Sequence, residues 1–208
     1  MTSSTTKTKA KESPVCPYCG GVGWLRRDLP ISDPDFGQLV RCVCKENEIN
    51  RDAQQRLYDA SNLENFNHMT FNAFSVQGRL GLGDEQIHSL QYALSQSQKF
   101  AASPRGWLVL MGTYGCGKTH LAAAVANACV EFGMTTLFLT VPDLMDWLRN
   151  SFDASDTNFE KRFDEIRNVG LLVLDDLGAQ NTTKWANEKL FQIIDYRYVR
   201  KLPMVVTT

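Results

Sequence analysis

Hydrophobic positions along this chain follow two periods that alternate, one of helices and one of strands. From Asp84 to about Ala102, residues Ile87, Leu90 and Leu94 share one face at helical spacing, with Asp84 placed to cap the start and Pro104 and Gly106 to stop the helix. Trp107–Met111 is a continuous apolar run, the pattern of a buried strand. A glycine-rich loop follows, then a helix with Leu121, Val125, Ala128 and Phe132 on its apolar face, ended by Gly133. Thr135–Thr140, β-branched and aromatic, predicts a second strand, and Pro142 opens a helix carrying Leu144, Leu148 and Phe152. Leu171–Leu174 predicts a third strand. Trp185–Arg200 predicts a helix with Leu190, Ile193, Ile194 and Tyr198 inward, and Met204–Thr208 a fourth strand. Alternation of this kind predicts an α/β fold, a parallel sheet with helices on both faces.

The first part of the chain reads differently. Residues 1–14 are Ser-, Thr- and Lys-rich and are expected to be a disordered tail. Residues 15–45 are rich in Gly, Pro and Cys, with little periodicity, and need a staple to fold. Helical spacing of Ile49, Ala53, Leu57 and Ala60 follows, so residues 15–62 are taken as a small amino-terminal domain with its helix. Residues 63–83, with Phe66, Met69, Phe71, Phe74 and three glycines, are expected to link it to the α/β core over 84–208.

The loop between the first core strand and its helix is Gly112-Thr113-Tyr114-Gly115-Cys116-Gly117-Lys118-Thr119, which fits G-x-x-x-x-G-K-[ST]. Glycines let backbone N–H groups curl around phosphate oxygens, and the helix that follows points its positive end at the anion. Lys118 is the cation for the β- and γ-phosphates of ATP, and the Thr119 hydroxyl is a ligand for Mg²⁺. His120, the next residue, is included in the nucleotide-binding stretch. Leu171-Leu172-Val173-Leu174 ends in Asp175 and Asp176. A strand that delivers carboxylates at its carboxyl edge puts them beside the phosphate loop. Asp175 is assigned to Mg²⁺ and Asp176 to orienting and polarising the attacking water.

Composition narrows the partners. Net charge is −1, the hydrophobic fraction 43 % and the charged fraction 22 %, so any nucleic-acid contact must come from a local patch. No apolar run is long enough for a bilayer and the amino terminus lacks a signal-like apolar stretch, so a cytoplasmic protein with no membrane partner is expected. Of six cysteines, Cys16, Cys19, Cys42 and Cys44 cluster early. Cys16-Pro17-Tyr18-Cys19-Gly20 is a knuckle, Cys42-Val43-Cys44 supplies two more thiolates, and four thiolates suit tetrahedral Zn²⁺.

The segments G-T-Y-G-C-G-K-T-H-L-A-A-A-V-A-N, L-L-V-L-D-D-L-G-A-Q, W-A-N-E-K-L-F-Q-I-I-D-Y-R-Y and L-P-M-V-V-T-T resemble the DnaC/DnaI helicase loaders and the related IstB transposition ATPases, of the AAA+ class. The resemblance runs from about Phe66 to Thr208, and Asp-Asp-Leu-Gly-Ala looks more like the DnaI type than IstB. It implies a sheet order of 5-1-4-3-2, oligomerisation of like chains on ATP binding, contact with a replicative DNA helicase and single-stranded DNA, and a zinc-binding amino-terminal domain that docks on the helicase. It also implies that a water-positioning Asn, an arginine finger, a fifth strand and a helical lid follow Thr208. The chain is accordingly expected to be an incomplete representative that binds ATP·Mg²⁺ and turns it over slowly. The leading expectation is an ATP-driven helicase loader of DNA replication; the alternatives are an IstB-like ATPase serving a transposase, a P-loop small-molecule kinase and a zinc adaptor whose nucleotide site only switches shape. Phe66, Phe71 and Phe74 are candidates to bracket adenine, and Lys184, Arg197, Arg200 and Lys201 to touch DNA phosphates.

Overall fold

The computed structural model describes residues 15–78, 81–149, 156–178 and 183–208, and the chain divides into two compact units, Met1–Asp52 and Ala53–Thr208. The expected tail and Phe152 lie outside the described residues.

In the first unit, β1 (Trp24–Arg26) and β2 (Leu39–Arg41) pair antiparallel, with Trp24 opposite Arg41 and Arg26 opposite Leu39. Three-residue strands are too short for a period-two signal, which is why the sequence pattern does not announce them. Strand alternation exposes Trp24, Arg26, Leu39 and Arg41 on one face and half-buries Leu25 and Val40 on the other. Helix α1 (Val43–Ala60) starts directly after β2.

In the second unit a 3₁₀ helix (Asn62–Phe66) opens on Ser61, whose hydroxyl accepts from Leu63 N at 3.3 Å and from Phe138 N at 3.0 Å. Then come α2 (Asp84–Ala102), β3 (Trp107–Leu110), α3 (Lys118–Glu131), β4 (Thr136–Thr140), α4 (Val141–Arg149), α5 (Asp156–Asn168), β5 (Leu171–Asp175), α6 (Lys184–Val199) and β6 (Met204–Thr207). The four later strands form a parallel sheet in the order β3-β6-β5-β4. β4 is an edge of this sheet, and the buried Ser61 satisfies one of its outward amides.

Alternate strand residues feed two cores. Phe138, Leu171, Val173 and Val205 pack with Leu121, Val125 and Cys129 of α3, Ala101 of α2 and Leu63. Leu137, Leu139, Leu172, Leu174, Met204 and Val206 pack with Leu144, Leu148, Ile166 and Ile193 of α4, α5 and α6. The result is three layers, helix, sheet, helix, with the carboxyl ends of all four strands on one rim.

Three expectations change. β3 lies at the other edge, so Val109 and Met111 are exposed rather than buried. Phe132 and Tyr198, expected on apolar helix faces, are also exposed. α6 instead turns Ala186, Ile193 and Arg197 inward.

Candidate functional site

The loop of residues 112–117 leaves the carboxyl end of β3 and enters α3 at Lys118. Gly115 and Gly117 have φ of 73° and 96°, a left-handed path that favours glycine. Gly117 is also sterically fixed, because a Cβ there would meet Phe74 Cε2 at 2.7 Å. At Gly112 a Cβ would lie 2.9 Å from Cys116 Sγ, so the loop closes tightly on itself. Lys118 Nζ lies over the loop and donates to Gly112 O at 2.8 Å and Thr113 O at 3.0 Å. Tyr114, at the loop tip, is 89 % exposed.

β5 and β6 bring the acids to the same rim. Thr119, in the first turn of α3, donates its hydroxyl to Asp175 Oδ1 and Oδ2, both at 3.1 Å. Thr207, on β6, donates to Asp175 Oδ1 at 2.7 Å and accepts from Asp176 N at 2.7 Å. Asp175 and Thr207 are buried, whereas Asp176 is half-exposed and adopts a positive φ of 58°. An aspartate tolerates this region better than most residues, and here it turns the chain out of the strand directly after the buried acid. The structure thus brings Gly112, Thr113, Tyr114, Gly115, Cys116, Gly117, Lys118 and Thr119 to one rim with Asp175 and Asp176.

In the first unit the four early cysteines converge, all Sγ atoms lying within 4.8 Å of one another. Cys16 and Cys42 sulfurs are 3.7 Å apart, and those of Cys19 and Cys44 are 3.3 Å apart. Tetrahedral thiolates about 2.3 Å from one zinc ion would sit roughly 3.8 Å apart, so the cluster has the right size. The Gly23 amide donates to Cys19 Sγ at 3.2 Å and draws that thiol down to about 6. Its neighbour Cys44 is pushed up to about 12, chiefly by the Cys19 sulfur. Crowded thiols cannot all release protons without a cation between them, which is the chemistry a metal ion supplies.

Over residues 33–208 the chain matches the family described as IstB-like ATP binding protein. The chain belongs to the IstB-like ATP-binding protein family. It is 28 % identical over 170 residues to the replicative helicase loader DnaC of Escherichia coli K12, covering 81 % of this chain and 67 % of that protein. To the replicative helicase loader DnaI of Bacillus subtilis it is 31 % identical over 97 residues, which is 46 % of this chain and 30 % of DnaI. The crystal structure of the DnaC helicase loader superposes with a TM-score of 0.57 at 29 % identity, over 69 % of this chain and 78 % of that one. AMPPCP-bound DnaA from Aquifex aeolicus superposes with a TM-score of 0.53 at 17 % identity, over 67 % of this chain and 41 % of that one, a likeness of fold. This IstB-like chain is therefore a P-loop ATPase with the AAA+ α/β architecture, and its four-strand order is that of the resemblance without strand five.

Other residues singled out in the sequence find plainer places in this IstB-like fold. His120 turns to the segment before α2, with Nε2 2.9 Å from Thr70 O and its ring edge-on to Phe74. Phe66 packs on Phe138 with ring centroids 5.1 Å apart, so it is a core residue. Phe74, against Gly117, is the aromatic of that trio that reaches the loop. His68 is exposed. Among the described residues, no helix is long and apolar enough to cross a membrane.

Arg197 was a candidate for DNA phosphates, and the structure overturns that. It is fully buried, donating to Arg167 O at 3.2 Å, Val169 O at 2.8 Å, Gly170 O at 3.4 Å and Pro203 O at 2.5 Å. Burial draws its guanidinium down to about 10. These carbonyls lie just before β5 and β6, so one side chain holds the starts of the two strands that carry Asp175 and Thr207. The sequence signal that could have found it is position: four residues after Ile193, Arg197 lies on the buried stripe of α6.

Proposed function

We propose that this chain is an ATP-driven loader that binds a replicative helicase and acts on its grip on single-stranded DNA. The observation carrying the reading is the shared rim of phosphate loop and buried acid, joined by Thr119 and Asp175, in a chain 28 % identical to a replicative helicase loader. Lys118 and the loop amides from Gly112 to Thr119 would hold the phosphates, and Thr119 with Asp175 would hold Mg²⁺. The metal, when bound, supplies charge neutralisation at the phosphates. Asp176, half-exposed at the mouth, is the residue to orient the attacking water. Cys16, Cys19, Cys42 and Cys44 would hold one zinc ion as a structural staple for the first unit. Docking of that unit on the helicase and assembly of like chains on ATP binding belong to the same reading.

The experiment is co-elution with a replicative helicase, measured with and without ATP, for the wild type and Lys118→Ala. Co-elution that changes with ATP in the wild type only is expected, because Lys118 is the loop's cation. Co-elution with a transposase and not with a helicase would assign the chain to the IstB-like role in transposition that the resemblance also implies.

A further inference from the structure

The β1–β2 ribbon presents one face that is exposed along its length. Trp24, Arg26, Leu39 and Arg41 project from it, since 24 and 26 alternate with 25, and their strand partners are 41 and 39. All four are exposed; Trp24 keeps 43 % of its surface open and Leu39 65 %. At one end Phe36 adds a second aromatic, with the Arg26 guanidinium 4.6 Å above its ring. Neither strand carries an acid, and the nearby Asp35 is engaged by Arg27 at 3.5 Å and by Gln38 Nε2 at 2.8 Å. Exposed Trp24, Leu39 and Phe36 together with two arginines give this face the aromatic-and-arginine composition of a binding surface.

We propose that this face binds single-stranded DNA, with a base stacked on Trp24 and backbone phosphates on Arg26 and Arg41. Charge complementarity selects the occupant: the face offers two cations and a flat aromatic, and a single strand offers phosphates and unpaired π-faces at every nucleotide. A purely apolar protein groove would not need both arginines, and duplex DNA has no unstacked base for the indole. The ribbon's outer face is two strands wide, which suits a strand running across it and not a helix-sized groove. The inference deepens the loader reading by giving the strand a place outside the ATPase core. It rests on that reading for the choice of DNA over RNA.

The test is fluorescence anisotropy of a labelled oligothymidylate with the full chain, across a salt series, with and without a non-hydrolysable ATP analogue. Trp24→Ala should weaken binding roughly tenfold, the usual scale of losing one stacked base, and Trp24→Phe should retain most of it. Arg26→Ala with Arg41→Ala should flatten the slope of log affinity against log salt by about 1.4, two phosphate contacts on a single strand. Both effects should appear without nucleotide, with the zinc content of each variant equal to wild type as the check on folding. Unchanged affinity and salt slope in zinc-replete variants would overturn the proposal. So would a loss equal for Trp24→Ala and Trp24→Phe, or an effect seen only with nucleotide bound. Helicase co-elution is scored separately on the same variants. If it is lost while DNA binding stands, the loader reading survives and this face is a protein-docking surface, which also overturns the proposal.

Discussion

Thr207 and Asp175 share a 2.7 Å hydrogen bond across β6 and β5, and the same hydroxyl accepts a 2.7 Å bond from the Asp176 amide. One buried oxygen therefore sets the rotamer of the first acid and the backbone turn that aims the second. Thr207→Val keeps the shape and removes the hydroxyl. A lost hydrogen bond to a charged group costs about 1.5–3 kcal/mol, and a stability loss of that order is expected in urea denaturation. ATP turnover should fall about tenfold or more with little change in nucleotide affinity, since the phosphate loop is untouched. Thr207→Ser should restore most of both.

Asp176→Asn should keep ATP binding and lose turnover. The amide preserves the size of the side chain but is a poor acceptor for a proton from water. Nucleotide titration beside a steady-state phosphate-release assay separates the two. Turnover equal to wild type would move the role to another residue at the rim.

Elemental analysis of protein purified without chelator should give one zinc per chain. Cys19→Ser should remove it and unfold the first unit, because thiolate ligation supplies folding free energy directly. The ATP affinity of the second unit should remain. Metal retention should fall in acid. Protons compete with the ion for all four thiolates, so acid favours the metal-free form. A metallochromic indicator followed from pH 8 to pH 5 reads the release, which should grow as pH falls.

Arg197→Met should destabilise the second unit by about 3 kcal/mol, read in urea, because the buried carbonyls before β5 and β6 lose their donors. Arg197→Lys should recover only part, since an ammonium is a compact charge and cannot fork across four carbonyls. The surface variant Arg200→Met, which loses the contact over the Tyr196 ring, should cost far less.

Strands β5 and β6 were legible because parallel strands buried on both faces are written as unbroken apolar runs, and Leu171–Leu174 and Met204–Val206 are such runs, whereas β4 was legible from its β-branched and aromatic residues. The phosphate loop was legible because its backbone path demands glycine and its chemistry demands lysine. β3 carried the same apolar signature as its neighbours, and the sequence holds no mark of its edge position. Arg197 was hidden for a different reason. Its partners are carbonyls of irregular backbone, which every residue possesses, so nothing in the side-chain pattern marks them. Thr207 reads in sequence as one more β-branched strand residue, and only the pairing of β6 beside β5 gives its hydroxyl two partners.

The stretch between Ser61 and Phe74 is fastened to the second unit at several points. Leu63 is buried in its core, Asn127 Nδ2 reaches Phe66 O and Met69 O at 3.0 Å each, and Phe74 caps Gly117. A recombinant fragment starting at Asp84 would thus lose a wall of its own hydrophobic interior, strand the amide of Asn127 and bare the glycine at the entrance to α3. Such a fragment would precipitate or misreport nucleotide affinity, whereas one starting near Ala53 keeps the clasp intact. For dissecting the chain by expression, the workable cut lies upstream of Ser61.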